Sequence, residues 1–253
     1  MLFSRQVSRV RKGYSLIELV VVLMILAIVA GLTVSLVDWL RRSADKAAAS
    51  NIMGSLLSNV QLYRTTIGLY PDQFDSLTDP TGTALYAKLH DELRTERLTL
   101  DTAGLSTGEL RSLTRVGITT VMDHDAAAEF PGNSGLKLRL LAASSKLALI
   151  TQGEVINSIY PPAGDTAVSG SGLPTGVKLV ALGFGPMNKA VGKTIVAPPM
   201  YSGVGDPSQL YARFVCVFAV FNDGSAAQIK GVLDSKGDFL NEELTEFYQN
   251  TPK

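Results

Sequence analysis

An α+β fold, with one long N-terminal helix and a globular head built on an antiparallel β-sheet, is predicted by three observations. Residues 16–37 are aliphatic with four exceptions, Glu18, Gly31, Thr33 and Ser35. Ile52, Leu56, Val60, Tyr63 and Ile67 then recur at spacings of four, four, three and four, the stripe of an amphipathic helix. Beyond Gly68 and Pro71 the pattern changes to short apolar runs punctuated by Gly, Pro and Asn-Asp-Gly, as strands and turns require. A helix first and a run of strands after it is an α+β order.

The helix organises the chain. Its 22-residue apolar run, 16–37, would be about 33 Å long, against a bilayer core of about 30 Å, and reads as a transmembrane segment. Glu18 lies in its first turn. A carboxylate at membrane depth costs roughly 2.5–3.5 kcal/mol, so it requires a partner or a function. Arg5, Arg9, Arg11 and Lys12 precede the run with no acidic residue among them, which favours a cytoplasmic N-terminus. No small-residue cleavage site follows the apolar run, so residues 1–13 do not read as a secretory signal peptide. From Ser15 to Ile67 one helix is predicted, half in the membrane and half packed on the head, with Gly68 and Pro71 ending it. The domains are then a leader (1–13), a long helix (14–67) and a head (68–253).

Gly13-Tyr14-Ser15-Leu16-Ile17-Glu18-Leu19, behind a basic leader and ahead of an apolar run, resembles the processing site of type IV pilins and of the pseudopilins of type II secretion. The resemblance implies a lollipop-shaped pilin fold, cleavage after Gly13 by a prepilin peptidase, and methylation of the new N-terminus at Tyr14. Tyr14 stands where the family usually has Phe, and Ser15 where it often has Thr. Glu18 becomes the fifth mature residue, the position that family uses in assembly. The implied partners are the peptidase/methyltransferase, other pilin or pseudopilin subunits, an inner-membrane assembly platform and the membrane itself. Gly68, Tyr70 and Pro71, followed by Phe74 and Leu77, resemble the helix exit of the secretion pseudopilins. The competing class is a non-polymerising, single-span envelope binding protein that keeps its leader.

In the head, Leu85, Leu89 and Leu93 predict a short helix over 83–98. Ser106 and Glu109 form a capping-box pair opening a helix to about Arg115. Strands are predicted at 118–122, 136–142, 146–151, 177–182, 210–221 and 225–233, the last two joined at Asn222-Asp223-Gly224. Residues 161–176 and 188–201 read as loops, and Asn241 is predicted to cap a C-terminal helix carrying Leu244 and Phe247.

Composition narrows the function classes. The chain has 23 basic and 23 acidic residues; without the four basic residues of the leader the balance is 19 to 23, a net −4. No basic and aromatic cluster suited to nucleic acid appears. Cys216 is the single cysteine, so neither an intramolecular disulfide nor a thiolate cluster is available. Asp123-His124-Asp125 has the residue types of an acid–base or ligand site but reads as a solvated turn. Gly183-Phe184-Gly185-Pro186 lacks the rest of a dinucleotide fingerprint, and no Gly-x-Ser-x-Gly elbow is present, so no enzyme is predicted. Asp234, Asp238 and Glu242 offer hard oxygen ligands, and calcium binding in a C-terminal loop of major pseudopilins makes them a candidate calcium site by resemblance. No other cofactor is indicated.

Overall fold

Apolar residues on every side of residues 16–37, then on one stripe, produce a 52-residue helix, α1 (Leu16–Ile67). The structure is a computed structural model that describes residues 15–124, 136–161, 172–201, 203 and 209–240. The chain divides into two units, 1–44 and 45–253. In the first, every described side chain from residue 15 to 32 is exposed.

In the second unit α1 buries Ala49, Met53, Leu56, Val60 and Tyr63, while Ile52 is half-buried and Ile67 is exposed. The buried stripe therefore steps four-three-four-three, and Met53 takes the place predicted for Ile52. Truncating Met53 or Leu56 to Ala would cost about 2–5 kcal/mol. Gly68 ends the helix in the left-handed region (φ +86°), a conformation that favours glycine. Tyr70 then ties the exit down: its hydroxyl accepts from Arg64 Nη1 (2.7 Å) and from the Ile229 amide (3.2 Å). Asp72 accepts from the amides and hydroxyls of both Thr119 and Thr120.

The strands are β1 (Phe74–Asp75), β2 (Leu98–Leu100), β3 (Thr120–His124), β4 (Leu136–Leu140), β5 (Ala148–Ile150), β6 (Val177–Gly183), β7 (Val215–Phe221) and β8 (Gln228–Leu233). Around β6 the sheet branches. Along one side β6 pairs with β7, which pairs with β8; on the other it pairs with β5 and, at Gly183, with β1. Between these strands, among the described residues, the pairings are antiparallel except β1 with β3, which is parallel and brings Phe74 beside Val121. The predicted antiparallel sheet thus contains one parallel step, because the chain enters the sheet from the helix exit and returns to it some 45 residues later.

Alternation on β6 and β7 separates two cores. Val180, Leu182, Cys216, Phe218 and Val220 face the α1 side with Phe74 and Val121. Leu179, Ala181, Val215, Val217 and Ala219 face Leu77, Tyr86, Leu93 and Tyr211. Burial on both faces explains the unbroken apolar composition of β7.

Three helical predictions meet different outcomes. The capping box is present: Ser106 Oγ accepts from the Glu109 amide, the Glu109 carboxylate accepts from the Ser106 amide, and α2 (Thr107–Thr114) follows. The helix predicted over 83–98 is absent except at its end, where a single π-helical turn covers Leu93–Arg97. Ahead of that turn stands a loop closed by Asp79. Its carboxylate accepts from the amides of Thr83 and Ala84 and from the hydroxyls of Thr81 and Thr83, an alternative set of local bonds to a helix. A short helix missing from the prediction, α3 (Gly153–Ile159), is capped by the Gln152 side chain on the Val155 amide. The C-terminal helix predicted from Asn241 lies outside the described residues.

Candidate functional site

The processing residues Gly13 and Tyr14 lie outside the described residues. The helix they precede begins with a cap. Ser15 Oγ accepts from the Ile17 amide (3.2 Å), and the Glu18 carboxylate accepts from the Ser15 amide (2.9 Å). Glu18 thus faces the N-terminal end of its own helix, where the partial positive charge of unpaired amides favours a carboxylate. Ser15-x-x-Glu18 is itself a capping-box spacing, the sequence signal that would have located this contact.

Beyond the cap the described side chains as far as residue 32 are exposed: Leu16 is 82% exposed, and Leu19, Leu23, Leu26 and Leu32 are all exposed. A helix apolar on all sides needs a non-aqueous or protein environment. Among the described residues no helix is long and apolar enough to cross a membrane. The apolar stretch whose side chains are described without a break, 16–32, is about 26 Å long as a helix, against a bilayer core of about 30 Å.

In the head, β3 brings together what looked like a solvated turn. Asp123 and His124 are buried neighbours pointing to opposite faces of the strand, and Asp125 lies outside the described residues. Asp123 receives both Nε (2.7 Å) and Nη2 (3.0 Å) of Arg139 from β4. His124 Nε2 stands 3.1 Å from Asp75 Oδ2, the same oxygen that accepts from the Tyr211 hydroxyl at 2.7 Å, and Tyr86 stacks on its ring. Burial, then the Asp75 charge, pushes Tyr211 well above its ordinary pKa, and burial likewise pushes the Cys216 thiol up. The cluster joins β1, β3 and the approach to β7 in the core.

The candidate calcium residues are engaged with the protein. Asp234 Oδ1 accepts the amides of Lys236, Gly237 and Asp238 at 2.8–3.0 Å. Burial, with the Asp238 charge nearby, raises the Asp234 pKa to about 6. Asp238 Oδ1 lies 3.5 Å from Arg97 Nη2, a cation that competes with any metal there. Glu242 lies outside the described residues. Among those residues no group of three or more His, Cys, Asp or Glu side chains is placed to hold a metal ion.

Residues 8–34 match the family model described as the prokaryotic N-terminal methylation motif, the signature of type IV pilins and pseudopilins. The match covers six residues of the predicted leader, 8–13, then the cap and the exposed apolar turns to residue 34, and none of the head. The motif implies processing by a prepilin peptidase, assembly with other pilin subunits, and a place at the membrane or in the envelope. No curated protein and no solved structure matches the chain.

Proposed function

We propose that the chain is a prepilin-like structural subunit of a type II secretion pseudopilus or a type IV pilus, cleaved after Gly13 and N-methylated at Tyr14. The observation that carries this is the methylation motif at 8–34, set on a helix whose described side chains from 15 to 32 are all exposed. Before assembly, lipid would cover that surface; afterwards, the helices of neighbouring subunits would. Continued in sequence to Val37 the run has 22 residues and about 33 Å, so the proposal includes a single span in the bacterial inner membrane. The basic leader would lie in the cytoplasm and the head on the far side.

Within one chain Glu18 is held by the Ser15 amide. In a filament the amine of Tyr14 on an adjacent subunit would replace that contact with a full charge. Pairing the two in a low dielectric offsets the desolvation of both and sets the axial register between subunits. The peptidase/methyltransferase, sister subunits and an inner-membrane platform are the partners that this pathway requires. Intact mass of the protein recovered from membranes tests the proposal: loss of residues 1–13 together with gain of one methyl group is expected. A chain that keeps its leader would instead be a non-polymerising anchored envelope binding protein, and the proposal would fall.

A further inference from the structure

One end of the sheet is β4, and its outer edge is open. The Leu141 amide donates to the Thr119 carbonyl (2.9 Å), one step beyond the Thr120–Leu140 pair of the β3–β4 register. In an antiparallel ladder bonded pairs alternate, so they continue at Val121–Arg139 and Asp123–Lys137. Leu136, Leu138 and Leu140 therefore turn their amides and carbonyls away from β3. The other side of β3 shows the same alternation: the Thr120 and Met122 carbonyls accept from the amides of Gln73 and Ser76, which flank β1. Among the described residues no strand or bridge pairs with the outer edge of β4.

Leu138 and Leu140 share one face of β4 and are 57% and 70% exposed. An open apolar edge is a template for another strand, which natural proteins ordinarily blunt or cover. Lys137 and Arg139 share the other face. Arg139 is fixed there by Asp123 and reaches the Thr78 hydroxyl (3.3 Å) and the Lys146 carbonyl (3.4 Å), which holds the strand in place. Lys137 is exposed, and β4 carries no acidic residue.

A second β4 paired antiparallel about a two-fold axis does not suit this edge. With Leu138 opposite Leu138, Lys137 faces Arg139; with Leu136 opposite Leu138, Lys137 faces its own copy. Like charges directly opposite are destabilising. A strand that places a carboxylate opposite Lys137 and apolar residues beside the leucines complements it.

We propose that the outer edge of β4 is a docking site for an extended segment of another protein, alternating apolar and acidic residues, which adds a strand to the head. The site lies in the head and does not depend on processing or assembly of the N-terminal helix.

The test uses the full chain in detergent with two labelled, blocked peptides, one alternating valine with glutamate and one alternating valine with lysine. By fluorescence anisotropy the glutamate peptide is expected to bind tighter by about threefold or more. Hydrogen exchange at the Leu138 and Leu140 amides is expected to slow in the complex. Leu138→Pro removes an outward amide and leaves the β3–β4 bonds alone, a position where an edge strand tolerates proline, and should abolish binding. Lys137→Glu keeps the backbone edge and should reverse the preference between the peptides. Failure of the glutamate peptide to bind, binding that survives Leu138→Pro, or an unreversed preference in Lys137→Glu would each overturn the proposal. Slow exchange at both amides in the free monomer would mean that the chain covers its own edge, and a dimer lost in Leu138→Pro would put a second copy there. Either result would overturn it as well.

Discussion

Lys178→Met should weaken the head severely. Lys178 Nζ, on β6, stands 2.9 Å from Asp101 Oδ2, 3.1 Å from Glu109 Oε2 and 3.4 Å from the Gly104 carbonyl. The lysine side chain is 29% exposed, but the two carboxylates are only 5% and 6% exposed, so water does little to solvate them if the cation is lost. Burial by itself lowers the Lys178 pKa; the hydrogen bonds and charges of Asp101 and Glu109 outweigh it and raise the value above the ordinary one. A lysine shifted this way contributes stability that is complete below its ordinary pKa and is lost as pH rises through the folded value. At neutral pH the contribution is therefore whole. Leaving buried charges unpaired costs about 3–5 kcal/mol, a large share of the 5–15 kcal/mol typical of a domain. For a head of this size that corresponds to a fall in melting temperature of roughly 6–20 °C. Thermal unfolding of the detergent-solubilised chain, followed by near-ultraviolet circular dichroism, measures it. The triple variant Lys178→Met, Asp101→Asn, Glu109→Gln should recover most of the loss, since glutamine retains the capping contact with the Ser106 amide. Melting of the single variant within about 2 °C of the parent, or a triple variant no better than the single, would refute the reasoning.

Gly13→Val is expected to block cleavage and leave the full-length chain in membranes, read by mass; normal processing would move the cut site elsewhere. Glu18→Val should leave insertion and cleavage intact but keep the protein out of sheared filaments, and equal entry of variant and parent would remove Glu18 from any role in register. Asp79→Ala should cost about 1 kcal/mol at pH 7, once the solvent screening of a group at the surface is allowed for. Burial raises the Asp79 pKa, but the hydroxyls and amides of residues 81–84 bring it down to about 2. The parent's advantage should therefore hold above about pH 4 and vanish as pH falls towards 2; an advantage unchanged across that range would contradict the turn's role. Any stabilisation by millimolar calcium should act through Asp234 Oδ2, the buried oxygen with no hydrogen-bond partner, and so be abolished in Asp234→Asn; a melting shift surviving in that variant would place the ion elsewhere.

What the sequence determined by itself was whatever rests on neighbours along the chain. The apolar run and amphipathic stripe of α1, its stop at Gly68, the capping box at Ser106 and Glu109, and the hairpin between β7 and β8 all depend on hydrogen bonds or periodicity within a few residues. The methylation motif is legible for the same reason, being read as one contiguous stretch. Two further signals were local but easily passed over: Ser15-x-x-Glu18 as a cap, and Asp79 followed by Pro80, Thr81, Gly82 and Thr83 as a turn ahead of a leucine spacing that resembles a helix. Tertiary structure decided the rest. The two-residue strand β1 exists because it lies between β3 and β6, not because Phe74-Asp75 prefers extension. Tyr211 meets Asp75 across 136 positions, and the same carboxylate meets His124. Residues 123 and 124 could be assigned to opposite faces of a buried strand only when the β3–β4 register was known. Local sequence sets which conformations are cheap, but which distant groups share a low-dielectric interior follows from strand order and register, which no single stretch of the chain contains.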